Sequence, residues 1–148
     1  MGGVLGTVVL ILICLTALVT GYPGRQTDKG WCRDSLLTQT CTHLRPEFIE
    51  SRTGVRLPPG ARVVSSTHTF YLDSDTTVVV DVPAAEAVAF EQQLIRLSGR
   101  PVPRLCPHLS GENCRGYLKF DNRAGLGWEA ADLRDGTVRY RFEHHFDF

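Results

Sequence analysis
The chain has 148 residues, enough for one domain, and its 16 basic side chains balance 16 acidic ones. Zero formal net charge excludes a nucleic-acid binder driven by phosphate neutralisation, which needs a basic surplus. With 43% hydrophobic and 22% charged residues it is also no intrinsically disordered chain.

No charged side chain occurs from Met1 to Gly24, and Val4–Thr20 is almost continuously apolar. As a helix, about 20 residues at ~1.5 Å each span the ~30 Å of a hydrocarbon core. That length favours a retained single-pass anchor over a cleaved secretory signal, whose apolar part is shorter. Val19-Thr20-Gly21 still offers a small-residue cleavage site. Residues 1–21 therefore read as a transmembrane anchor or signal segment. Arg25, Lys29 and Arg33 follow it, and a literal positive-inside count would keep the rest of the chain in the cytoplasm. The cysteines argue against that. Cys14 sits inside the apolar run behind Ile13, where a lipobox needs a small residue, so it reads as a buried membrane thiol.

The other four cysteines are Cys32, Cys41, Cys106 and Cys114. An even number downstream of an export segment implies a disulfide framework in an oxidising compartment. Of three possible pairings, Cys32–Cys41 with Cys106–Cys114 closes two short local loops. A closed loop of about ten residues contributes roughly 2.7 kcal/mol on the chain-entropy account. Structural zinc prefers cysteines two to four residues apart, which neither pair offers.

Tyr22–Gly30 reads as a polar tether, leaving residues 31–148 as an extracytoplasmic domain. Trp31–Leu44 is a stapled lead-in with a short helical turn near Ser35-Leu36-Leu37. Pro46 suits a helix N1 position and Gly54 its C′ position, bounding a helix of two turns. Ala61–Leu72 and Thr76–Val82 are rich in Val and Thr and read as a hairpin turning at Asp73-Ser74-Asp75. Pro83–Ser98 carries Ala87, Phe90, Leu94 and Leu97 on one helical face, closed by Gly99 and Pro101. Arg100–Arg115 reads as a loop held by the second disulfide, and Gly116–Asp121 as a strand. Asp135-Gly136 signals a two-residue hairpin turn that would set Leu133 opposite Val138, Ala131 opposite Tyr140 and Asp132 opposite Arg139. These elements add up to an α+β domain: a small antiparallel sheet of about five strands, helices packed on one face, and one N-terminal hydrophobic helix ahead of it.

Chemical motifs are sparse. Gly125–Ala130 matches G-x-G-x-x-A, but a β-hairpin follows it where a dinucleotide site needs a helix. Glu143, His144, His145 and Asp147 suggest metal ligands, yet His144 and His145 point to opposite faces of a strand. His43, His68 and His108 are scattered singly. Asp73 and Asp75 read as turn residues; no calcium loop surrounds them. Arg96, Arg100, Arg104, Arg115 and Arg123 gather near a helix end and suit an anionic polymer or headgroup, or simply a solvated surface. Trp31 suits either the membrane interface or a cover over the first disulfide, and Trp128 the sheet interior. No catalytic residue, cofactor or metal is expected.

The run Thr53–Val63, the hairpin after it and Val82-Pro83-Ala84 resemble uncharacterised small membrane-anchored or exported proteins of actinobacteria, over about Glu50 to Leu94. Fourteen arginines against two lysines fit the high-GC coding of that group. The resemblance implies location and fold, with no catalytic residues to transfer. The expected function is a non-enzymatic cell-envelope module, anchored through its N-terminal helix or secreted, binding an envelope protein or polymer. The alternative is a small extracellular hydrolase or metal-dependent enzyme using the C-terminal His/Glu/Asp cluster.

Overall fold
The computed structural model describes residues 23–118 and 125–147, apart from the side chain of Asp147. The hydrophobic leader, Cys14, Lys119–Asp121 and Arg123 lie outside the described residues. In chain order the elements are β1 (Arg25–Gln26), β2 (Trp31–Asp34), β3 (Gln39–Thr42), α1 (Pro46–Thr53), β4 (Arg62–Phe70), β5 (Asp73–Pro83), α2 (Ala84–Leu97), β6 (Val102–Pro103), β7 (Glu112–Tyr117), β8 (Gly125–Asp132) and β9 (Thr137–Asp147).

The nine strands among the described residues form one antiparallel sheet in the order β1-β2-β3-β4-β5-β9-β8-β7-β6. This overturns the expected five-stranded α+β domain: the described residues are mostly one nine-stranded sheet with two helices. The lead-in is not helical: Ser35 N and Oγ both donate to the Thr38 carbonyl, making a turn that lets β2 and β3 pair. Arg25–Gln26, within the segment read as a tether, adds β1 to that hairpin. At the other edge the proline-rich stretch supplies β6, where Pro103 is tolerated because an edge strand need not donate on both sides.

Two meanders, β1–β5 and β6–β9, meet at the β5–β9 ladder, which pairs all eleven residues of each strand from Asp73↔Asp147 to Pro83↔Thr137. That ladder moves the first hairpin turn. Asp73, Ser74 and Asp75 all belong to β5, and the tip falls at Tyr71 and Leu72, with Tyr71 N donating to the Asp73 carbonyl at 2.9 Å. The last hairpin is also shifted. Its loop has three residues, Arg134-Asp135-Gly136, with Gly136 N donating to Leu133 O at 3.1 Å and Gly136 at φ 82°. A three-residue turn closed by a left-handed glycine is one residue longer than the expected one. Asp132 consequently faces Val138, Ala131 faces Arg139 and Ala130 faces Tyr140.

One face of the sheet carries the core. Val78, Val80 and Val82 of β5, Tyr140 and Phe142 of β9, and Trp128 and Ala130 of β8 are all fully or almost fully buried. Both helices reach this face. Phe90 of α2 stacks edge-on against Tyr140 at 4.9 Å, and Phe48 of α1 against His68 at 5.1 Å. Pro46 opens α1, and Gly54 at φ 70° ends it, its N–H donating to Glu50 O. In α2, Ala87, Phe90 and Leu94 are buried while Leu97 is half exposed.

α2 is tied down by ions as well as by apolar contact. Arg115 of β7 makes a forked contact to Glu91 at 2.6–3.0 Å and reaches Asp132 at 3.1 Å. The Tyr140 hydroxyl donates to Ala87 O at 3.1 Å, and burial pushes its pKa up. Arg115 is thus committed to the fold and unavailable to the arginine cluster read from the sequence.

Among the described residues no helix is long and apolar enough to cross a membrane. Both local cysteine pairs, Cys32–Cys41 and Cys106–Cys114, are disulfides. Cys32 and Cys41 sit directly opposite each other on β2 and β3, so the hairpin itself brings them together. Two disulfides are consistent with a secreted or extracellular protein.

Candidate functional site
The face of the sheet away from the helices is polar, and its strand register sorts ionisable side chains into cross-strand rows. Val79, Arg141 and Glu129 share one row across β5, β9 and β8; Thr77, Glu143 and Gly127 form the next; Asp75, His145 and Gly125 the next. On the other side of the first row, Asp81 faces Arg139.

Glu129 is the most unusual member, a carboxylate with no solvent exposure. An acid is rarely buried completely unless it is paired. Its partners come from the loop stapled by Cys106–Cys114: His108 N donates to Oε2 at 3.1 Å, and His108 Nδ1 lies 2.5 Å from Oε1. Arg141 stands 3.8 Å away on the neighbouring strand. Gly116 lets the loop come this close, because a Cβ there would fall 2.8 Å from the Trp128 carbonyl and closer still to that of Leu105. The disulfide therefore holds a half-exposed histidine over a buried carboxylate.

The C-terminal cluster does not converge. Glu143 accepts from Arg141 Nη2 at 2.7 Å, His145 Nδ1 contacts Asp75, and His144 lies on the helix-covered face opposite Thr76. The Asp147 side chain lies outside the described residues. Among the described residues no three His, Cys, Asp or Glu side chains are grouped to hold a metal ion. Asp75 thus works as a strand residue partnered by histidine.

The remaining singled-out residues are dispersed. His43 is exposed at φ 51° just after β3. His68 is fully buried, its Nδ1 2.9 Å from Thr76 Oγ1 and its Nε2 without a hydrogen-bond partner among the described residues. Burial, reinforced by Arg52 and Lys29, lowers its pKa to about 4, so the ring is neutral at pH 7. Trp128 is buried as expected of a sheet residue, and Trp31 is half exposed. Gly125–Ala130 lies within β8, with no helix after it, so its glycines do not form a phosphate-binding turn.

Two concavities accompany these features. One, of about 390 Å³, lies between residues 56–59 and α2 and is lined by Leu57, Pro58, Ala89, Phe90, Arg56 and Arg96. The other, of about 530 Å³, lies beside the second disulfide and includes Arg104, Asn113 and Arg115. Arg104 and Asn113 have positive φ of 62° and 45°. Asn113 falls where the β7–β8 register shifts, as a bulge residue does.

Sequence reading did not single out Glu129. The available signal was its place between Trp128 and Ala130, an acid interrupting an apolar run in a strand. Comparisons with protein-family models, with curated proteins and with solved structures found no match.

Proposed function
We propose that this protein is a non-enzymatic extracytoplasmic interaction module of the cell envelope, delivered by its apolar leader and held by it as a single-pass anchor or released after cleavage. The observation that carries this reading is the pair of local disulfides, which persist only in oxidising surroundings. The resemblance to actinobacterial exported proteins points the same way.

The polar sheet face is the binding surface in this reading. It is broad, its charges are paired within the sheet, and Thr67 and Thr77 stand among them half exposed. Such a surface suits a polar envelope protein or polymer. The histidine–carboxylate contacts His108–Glu129 and His145–Asp75 resemble halves of a catalytic relay; in this reading both serve to neutralise or orient charge.

Two measurements test the reading. Blocking thiols in intact cells before lysis, then mass analysis of the full chain, is expected to find Cys32, Cys41, Cys106 and Cys114 in two disulfides. Finding all four reduced overturns it. Sedimentation with isolated envelope material is expected to weaken in Thr67→Arg/Thr77→Arg and to be unchanged in Val88→Glu on α2. Equal sedimentation of all three chains excludes the sheet face.

A further inference from the structure
We infer that the rim of the sheet carrying the β2–β3 and β4–β5 turns rests in the surface of the lipid bilayer that the leader enters. This deepens the proposed function and rests on its anchored form.

The register places the relevant features at one rim. β2 runs up to Asp34 and β3 starts at Gln39, opposite Phe70, the last residue of β4. The two turns between these strands are therefore neighbours at the same end of the sheet, about 10 Å apart at ~4.8 Å per strand. Their apices are apolar and exposed: Leu36 at 75%, Leu37 at 71%, Leu72 at 69% and Tyr71 at 47%. Turn tips are ordinarily built from Gly, Asn, Asp, Pro and Ser. Four large apolar side chains on two adjacent tips form a patch that water does not favour.

The chain enters at this same rim. β1 pairs Arg25 with Cys32 and Gln26 with Trp31, so it runs antiparallel to β2, and its N-terminal end faces the turn-bearing rim. Thr20, which closes the uncharged apolar run, is five residues before Arg25. Five residues reach at most about 17 Å. An anchored leader therefore brings this rim to the membrane and leaves little room for another occupant. Asp73 flanks the tip at the start of β5, so contact would be driven by apolar burial and would need no anionic lipid. Tyr71 adds a side chain with an apolar body and a polar end, suited to the interface.

The experiment uses the full chain reconstituted into zwitterionic phosphatidylcholine vesicles containing brominated acyl chains, which quench tryptophan on contact. Leu72→Trp and Leu37→Trp each add one tryptophan at the rim; Val88→Trp adds one on exposed α2, near the opposite end. All three chains are expected to float with the vesicles, and the added emission to be lost in Leu72→Trp and Leu37→Trp but kept in Val88→Trp. Flotation with both rim tryptophans unquenched, or all three quenched alike, overturns this inference and leaves anchoring intact. A chain that does not float overturns the anchored reading and this inference with it.

Discussion
Arg139 stands directly across the ladder from Asp81, its Nε donating to Oδ1 at 2.6 Å and its Nη2 to Oδ2 at 3.0 Å. Arg62 reaches the same carboxylate from β4 at 2.6 Å. One acid, almost buried, thereby joins three strands on the polar face, two residues from the end of β5. The sequence reading assigned Arg139 to Asp132; the longer final turn moved Asp132 one step and left Asp81 as the partner.

Replacing Asp81 with Asn leaves two guanidinium groups without their counter-charge. Urea denaturation at neutral pH is expected to show a loss of about 1–3 kcal/mol with an unchanged slope. Arg139→Ala should cost more than Arg62→Ala, because the Arg62 side chain is 76% exposed and its pairing is weakened by water. The Arg139 hydrogen bond, with Arg62, holds the Asp81 carboxyl below its usual value of 3.8. Its contribution is therefore present above about pH 4 and lost as acid drops the pH through the lowered value. Equal stability of wild type and Asp81→Asn at pH 7 would show that the clamp contributes nothing.

His68 gives a second, separate pH dependence. Its folded pKa of about 4 lies below the reference value of 6.5, so the unfolded chain takes up the proton first. Stability is then full above pH 6.5 and falls as the pH drops toward 4, by about 3 kcal/mol at the limit. Acid titration of the urea midpoint is expected to show this slope, and His68→Leu to flatten it between those values. A wild-type midpoint constant from pH 6.5 to 4.5 is the contrary result. Asp81 acts below this window, so the two groups separate on one curve.

Local signals read well where they depend on a few neighbouring residues. Pro46 and Gly54 bound a helix, the apolar spacing of Ala87, Phe90 and Leu94 marks the buried side of another, and short cysteine spacing matches the two disulfides. What escaped depends on partners distant in sequence. β1, β2, β3 and β6 are two to four residues long and exist because a neighbouring strand accepts their backbone groups. Asp73–Asp75 has turn composition, yet β9 extends β5 through it. Glu129 escaped because its burial comes from His108, 21 positions earlier, folding over it. A register error of a single residue at Gly136 reassigned every cross-strand pair of the last hairpin.

The second disulfide controls that cover. Cys106→Ser/Cys114→Ser is expected to lower stability by about 2–3 kcal/mol on the loop-closure account. The core should survive, because Tyr140 and Phe142 pack against Phe90 of α2 and Trp128 packs against Tyr140, none of them through the staple. Urea melts give the stability, and hydrogen exchange should report faster opening at residues 104–111 with β5 and β9 unchanged. Unaltered exchange in the loop would mean that the staple does not hold His108 in place.

Gly116 tests the same arrangement without touching sulfur. It is buried in β7 opposite Glu129, and an added methyl group would meet backbone carbonyls on two sides, Leu105 and Trp128, neither of which swings away as a side-chain end does. Gly116→Ala must therefore lift the 104–111 loop or part β7 from β8, either of which exposes the Glu129 carboxylate. A loss of about 1–3 kcal/mol is expected, as for other overpacked sites. Gly136→Ala makes the instructive contrast: it has open space around it but a φ of 82°, so it should cost only the left-handed penalty of about 1 kcal/mol and leave loop exchange alone. Faster exchange at 104–111 in Gly116→Ala, absent from Gly136→Ala, is the expected pattern. If both variants lose stability equally with no change in the loop, the close approach at Gly116 is not what seats His108 on Glu129.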